Sequence, residues 1–170
     1  MGKDNQAPVW LARLLDDHGA ALVLYARQWC QSPEDVVQDA LVELVTQSRP
    51  PVHVVSWLYR VVRNGAISAG RQQQRRVQRE LRVAAPEAWF DAGTSTLEAQ
   101  EATAALAALT LELREVVVAR IWGNLTFAEI ADLTGTSLST AQRRYEQGVR
   151  ELKARLEKPC KTSNHRSDPS

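Results

Sequence analysis

Cysteine is scarce in this sequence. The two residues, Cys30 and Cys160, form neither a metal-ligand nor a redox spacing, and such sparse thiols fit a reducing compartment, the cytoplasm. Histidine offers no more chemistry, because His18, His53 and His165 are scattered. There is no glycine-rich phosphate loop, and no carboxylate pair falls in a motif that builds a cleft. These absences leave an enzyme without a candidate catalytic residue, and no metal, cofactor or small-molecule substrate is expected. Long apolar runs are missing too. None approaches the roughly 20 residues that span a bilayer, and the polar start MGKDNQAPVW lacks the apolar core of a secretory signal. Membrane insertion is not expected.

What is present is charge, sorted along the chain. A net charge of +1 over 170 residues conceals it. Residues 1–46 hold three basic and seven acidic side chains, residues 47–82 eight and one, residues 83–119 one and six, and residues 120–170 nine and six. Each basic block follows an acidic one. Segregation of this kind suggests two separate polyanion contacts and a basic protein partner; solvated helix faces of random sign are the plainer alternative.

Helical periodicity dominates and no alternating strand pattern stands out, so the expected class is all-α. From Trp10, the side chains Leu11, Leu14, Leu15, Leu22, Tyr25 and Trp29 recur at helical spacing. Ser32-Pro33-Glu34-Asp35 starts a second helix, with Ser as N-cap, Pro at the first position and acids in the first turn. Val37, Ala40, Leu41, Leu44 and Val45 make its inner stripe, and Asp35, Gln38, Asp39 and Glu43 its outer face. Arg49-Pro50-Pro51 breaks the chain before a third helix, from about Val54 to Leu81. The stretch from Val83 to Ser95 loses the period and reads as a linker. Trp89 and Phe90 stand out there, either anchoring it to a domain surface or packing locally. A second helical domain follows from about Leu97 to Leu156, and Lys158 to Ser170 read as a disordered tail.

The most specific local pattern lies between Leu125 and Leu156. Thr126-Phe127-Ala128-Glu129 matches a capping box, with Leu125 and Ile130 placed as a hydrophobic staple. Ala131 is small enough for a close helix crossing, and Gly135 suits a left-handed turn. A second helix starts at Ser137 or Ser139, with Leu138, Ala141, Tyr145, Val149, Leu152 and Leu156 inward. Its other face carries Ser139, Gln142, Arg143 and Glu146, flanked by Arg144, Gln147 and Arg150. This is a helix-turn-helix whose second helix can enter the major groove, where Arg pairs with guanine and Gln with adenine. Flanking Arg and hydroxyl groups fix the register on phosphates. A plain amphipathic hairpin is the alternative. Thr134 and Thr136 are polar where such motifs place apolar residues beside the turn.

On the third helix, Arg60, Asn64, Ile67, Arg71 and Arg75 form a strip broadened by Arg63, Ser68, Arg76 and Arg79, with Trp57 and Tyr59 at its start. Arginines with nearby aromatics and an Asn suit a backbone track that captures unpaired bases. Phosphate binding without strand opening, or a solvated face with Trp57 in the core, are the alternatives.

Three stretches then read together: Ser-Pro-Glu-Asp-Val-Val-Gln-Asp at Ser32–Asp39, Ser-Trp-Leu-Tyr-Arg-Val-Val-Arg-Asn at Ser56–Asn64, and Leu-Arg-Glu-Val-Val at Leu113–Val117 leading into the helix-turn-helix. Their order and spacing resemble bacterial RNA polymerase sigma factors of the extracytoplasmic-function type, over most of the chain from Leu11 to Leu156. The resemblance implies two small helical domains, residues 1–82 and 97–157, joined by a flexible linker at 83–96 and followed by a tail at 158–170. It implies core RNA polymerase and promoter DNA, duplex and opened, as partners, with an anti-sigma protein as a further candidate. Glu34, Asp35, Gln38, Asp39 and Glu43 would hold the polymerase. Trp57, Tyr59, Arg60, Arg63, Asn64, Ser68, Arg71, Arg75 and Arg76 would read and open the −10 element. Ser137, Ser139, Thr140, Gln142, Arg143, Arg144, Glu146 and Gln147 would read the −35 element, with Val116, Val117 and Ile121 near the polymerase flap and the acidic linker in the RNA exit path.

The departures from the family pattern matter. Ile67-Ser68-Ala69-Gly70-Arg71 stands where Ile-Asp-His-Leu-Arg is common, Leu109-Thr110 replaces Leu-Pro, and Gln142-Arg143 replaces a Lys-Ser pair. Gly70 weakens a helix interior by up to about 1 kcal/mol relative to Ala, and Gln142-Arg143 points to different preferred bases. Two other functions remain in view: a helix-turn-helix transcription regulator with a helical interaction domain that never joins polymerase, and a sigma-like decoy for an anti-sigma protein. The intact basic helix argues against the decoy.

Overall fold

A computed structural model of the protein describes residues 9–80 and 97–157, all of whose regular elements are helices. They are α1 (Val9–Ala26), α2 (Pro33–Thr46), α3 (Val54–Glu80), α4 (Leu97–Ala107), α5 (Leu111–Ile121), α6 (Phe127–Thr134) and α7 (Leu138–Leu156). The linker from Val83, with Trp89 and Phe90, and the tail with Cys160 lie outside the described residues. No described helix is long and apolar enough to cross a membrane.

The first half is a three-helix layer in which α1, α2 and α3 pack pairwise. Pro33 at the first turn, with Glu34 and Asp35 beside it, starts α2 as expected. Ser32 occupies the cap position but its hydroxyl makes no capping hydrogen bond. The stripe of α2 is buried at Val37, Ala40 and Leu44, whereas Val45, expected inward, is exposed. Leu15 of α1 is likewise exposed; the fully buried residues of that helix fall between Ala21 and Ala26, and in its first half Leu14, not Leu15, packs against the core. Periodicity marks a face but not where its cover ends.

In the second half, α7 lies across α4, α5 and α6. Asn124 takes a left-handed backbone (φ 53°), turning the chain between α5 and α6, a conformation Asn tolerates better than most residues. Ser137, not Ser139, caps α7. The buried line of that helix runs through Ala141 and Gly148, where α7 meets Val117 of α5. Leu138 and Leu156, expected inward, sit exposed at its two ends. The halves also meet each other: α1 touches α5, α3 touches α6, and one apolar cluster runs from Leu22 and Tyr59 to Val117 and Ile130.

Candidate nucleic-acid interface

The helix-turn-helix is built as its residues dictate. The Thr126 hydroxyl accepts from the Glu129 backbone N–H at 3.3 Å, and Glu129 Oε2 accepts from the Thr126 N–H at 2.8 Å, which closes the capping box. Leu125 and Ile130, the staple pair, are both buried. Gly135 ends α6 in the left-handed region (φ 66°, ψ 35°), its N–H bonded to the Ala131 carbonyl. Thr134 and Thr136 suit the turn after all. Thr134 donates to the Ile130 carbonyl at 2.8 Å, and the two hydroxyls meet at 3.0 Å.

On α7 the candidate DNA contacts divide. Ser137 accepts from the Thr140 N–H at 3.1 Å and meets the Ser139 and Thr140 hydroxyls, so it serves the cap first. Arg144 and Thr140 are half-buried, while Ser139, Gln142, Arg143, Glu146 and Gln147 are exposed. Gln147 hydrogen-bonds Glu151 at 3.1 Å. That leaves Ser139, Gln142, Arg143 and Glu146 on the open face of the first turns. Phe127 and Tyr145 pack edge to face at 5.5 Å, with the Arg120 guanidinium over Phe127 at 4.9 Å, which fixes α7 against α6.

On α3, Arg60, Asn64, Ser68, Arg71, Arg75 and Arg76 are exposed along the expected strip. Trp57 is half-buried. Tyr59 departs from expectation: it is fully buried, ring to ring with Tyr25 at 4.8 Å, because its side of α3 faces α1 and the second half. Arg63 is also turned inward. Its Nε donates to Glu115 Oε1 at 2.6 Å, and the same carboxylate accepts from the Tyr25 hydroxyl at 2.7 Å. Burial pushes the Tyr25 phenol well above its ordinary range, and the neighbouring Glu115 charge adds to it. Burial draws the Arg63 guanidinium down, but the Glu115 hydrogen bond and charge outweigh that and leave it raised.

Glu34, Asp35, Gln38, Asp39 and Glu43 are all exposed on α2, Glu34 pairing with Arg27 at 3.0 Å. Asp39 and Glu43 share a groove of about 460 Å³ with Asn64 and Ser68 of α3. In the second half Val116 and Val117, expected beside a partner, are fully buried, because α5 is covered on most sides; Ile121 and Trp122 at its end are the exposed apolar residues there. No group of His, Cys, Asp and Glu among the described residues could hold a metal ion. The sequence reading missed the acids opposite α3, namely Glu115, Glu129 and Asp132. The signal available was the alternation of charged blocks, which gives sign but no partners.

Known proteins account for this arrangement. Sigma-70 region 2 matches residues 14–76, and sigma-70 region 4 matches residues 99–152, together well over half of the chain. The chain belongs to the sigma-70 family. It is an alternative sigma factor that directs transcription initiation, with core RNA polymerase and promoter DNA as partners, and its two-region organisation is that of the extracytoplasmic-function type. The fold of this sigma factor is shared by the sigma factor RpoE of Bartonella quintana, solved with the anti-sigma factor NepR (TM-score 0.66, 21% identity, covering 88% of this chain and 98% of that one). It is shared too by CnrH, solved with the cytosolic domain of CnrY (TM-score 0.54, 23% identity, 86% of each chain). No curated protein matches the sequence.

Proposed function

We propose that the two halves divide promoter recognition, with residues 1–82 and 97–157 as separate domains on an 83–96 linker. The helix-turn-helix reads duplex DNA at the −35 element through Ser139, Gln142, Arg143 and Glu146, while Ser137, Thr140, Arg144 and Gln147 position it on the backbone. The α3 strip of Arg60, Asn64, Ser68, Arg71, Arg75 and Arg76 takes the −10 element and its opened strand, with Trp57 beside it and Arg63 available once freed from Glu115. Glu34, Asp35, Gln38, Asp39 and Glu43 present an acidic face to the core enzyme. The observation that carries this reading is the exposed row on α7, mounted on a fully formed capping box and left-handed turn. No reaction is assigned to the chain itself; it works in the cytoplasm beside the polymerase. An anti-sigma protein is part of the proposal, since the similar sigma factor RpoE was solved with the anti-sigma factor NepR.

The test is run-off transcription with core polymerase and a randomised promoter library. Arg143→Ala is expected to shift the selected upstream sequence, with about 1–3 kcal/mol of discrimination lost at one base pair. Arg76→Ala is expected to weaken all promoters alike and to lower the salt slope by about one unit. Duplex binding without any attachment to core polymerase would instead describe a regulator.

A further inference from the structure

A cavity of about 520 Å³ opens in the seam between the two halves, where the start of α3 faces α6. Small-molecule sites commonly measure about 300–1,000 Å³. One wall is apolar, made by Pro51, Val52 and the half-buried Trp57. Val52 is 91% exposed, so nothing in the described chain covers that wall. The other wall is α6, where Glu129 and Asp132 lie one turn apart on the same side of the helix. The charge of Asp132 is met by Arg60. Among the described residues Glu129 accepts only from neutral donors, the Ser56 hydroxyl and the Thr126 N–H and hydroxyl. These bonds use three of a carboxylate's roughly four acceptor sites, and they hold its carboxyl below the ordinary value, so it stays ionised. With His53 neutral, the cavity carries one unmatched negative charge beside an aromatic ring.

We propose that this cavity binds a small organic cation, a primary amine or guanidine carried on a flat apolar body, with its charge at Glu129 and its body against Trp57. Each part of that class follows from a wall. A carboxylate with an acceptor site left takes an N–H donor, and the charge-assisted bond from an ammonium or guanidinium is the strong form. The Trp57 ring takes a flat body by stacking, and its face favours a positive group. A neutral molecule of the same shape would shut the Glu129 charge away from water with nothing to match it. An anion would meet two carboxylates. Trp57 also stands beside the α3 strip, so a bound cation competes with an opened strand for that ring. The competition rests on the assignment of α3 to promoter DNA; the binding does not.

Three probes that share one body test the charge on the full-length protein: phenethylamine, 2-phenylethanol and phenylacetate, each titrated by calorimetry. Phenethylamine is expected to bind with a dissociation constant of about 1 mM, ordinary for so few atoms, and the other two at least about tenfold more weakly. The Trp57 indole N–H signal, identified by its loss in Trp57→Phe, should move saturably with the amine. Glu129→Gln should bring amine and alcohol to the same affinity, and Trp57→Ala should weaken both. Glu112→Gln, an exposed position on α5 outside the cavity, should change neither. Equal affinity for the three probes, or binding that leaves the Trp57 signal still, overturns the site. A preference for the amine that survives Glu129→Gln overturns the role of that carboxylate. A second arm follows anisotropy of a short random-sequence single-stranded DNA at matched ionic strength. Phenethylamine should weaken strand binding severalfold and 2-phenylethanol should not. An amine that binds without disturbing the strand overturns the competition alone, and places the fault in the assignment of Trp57 to the opened strand.

Discussion

Glu129 serves two masters, and its position makes it the residue whose titration matters. Its Oε2 closes the capping box with Thr126, while Oε1 accepts from Ser56 across the seam. The Ser56 hydrogen bond, then the Thr126 backbone bond, hold its carboxyl below the ordinary value of 4.5. A depressed carboxyl contributes stability that is fully present above the ordinary value and lost as pH falls through the folded one. Urea unfolding from about pH 7 down to about pH 3 should therefore show stability declining across the lower part of that window. Glu129→Gln should flatten that decline and cost about 1 kcal/mol at neutral pH, because a neutral amide is the weaker acceptor. An unchanged slope in the variant would assign the acid loss to other carboxylates. The capping half of this role was legible as Thr126-x-x-Glu129, since the box is local. Ser56 was not, because nothing in a sequence pairs two positions on different helices 73 residues apart.

At the scale of the element, α3 shows why a local rule and a packed structure disagree. Its interior Gly70 looked like a weakness in a long basic helix. The structure gives the reason: a Cβ at that position would run into the Trp29 carbonyl oxygen, in the turn that follows α1 and passes close to α3. Helix propensity favours Gly70→Ala by at most about 1 kcal/mol. The clash is with backbone, which no rotamer change relieves, and overpacking of that kind costs about 1–3 kcal/mol. The clash should win. Gly70→Ala is expected to lower the denaturant midpoint, whereas Arg71→Ala, one position on and exposed, should leave it nearly unchanged. A stabilised Gly70→Ala would mean that α3 and the Trp29 backbone lie further apart than described. Elements were otherwise well marked in the sequence: the Pro33 start, the Pro50-Pro51 break and the Gly135 stop each act within a turn of themselves. The errors fell at helix ends and shared faces. Leu15, Val45, Leu138 and Leu156 keep the apolar period past the edge of what covers them, and Tyr59 lies on a face buried jointly by Tyr25 of α1 and by the second half at Gly123.

The whole molecule is held by one apolar cluster that crosses from the first half to the second, with a buried ion pair in the same seam. The charge blocks pointed outward, to polyanions and a basic partner, and did not foretell that Arg63 of one block and Glu115 of the next become partners where α1, α3 and α5 come together. Such a pair adds little net stability while whole, yet removing one partner costs about 3–5 kcal/mol because a charge is left buried. Here the lower end applies, since the Arg63 side chain is 26% exposed and that of Glu115 only 7%. The chain can avoid that cost by parting its halves and hydrating Glu115. Calorimetry should accordingly show one transition for the wild-type protein, in which the shared cluster couples the halves. Arg63→Ala/Asp132→Asn should split it into two, each half melting by itself. About 1 M salt, where the screening length is about 3 Å, weakens the exposed Arg60–Asp132 pair but not the buried one, so the wild-type transition should stay single in salt. Splitting of the wild type by salt alone would place the coupling in exposed charges rather than in the Tyr25–Glu115–Arg63 contact, and a single transition in the double variant would leave the apolar cluster as the whole of the coupling.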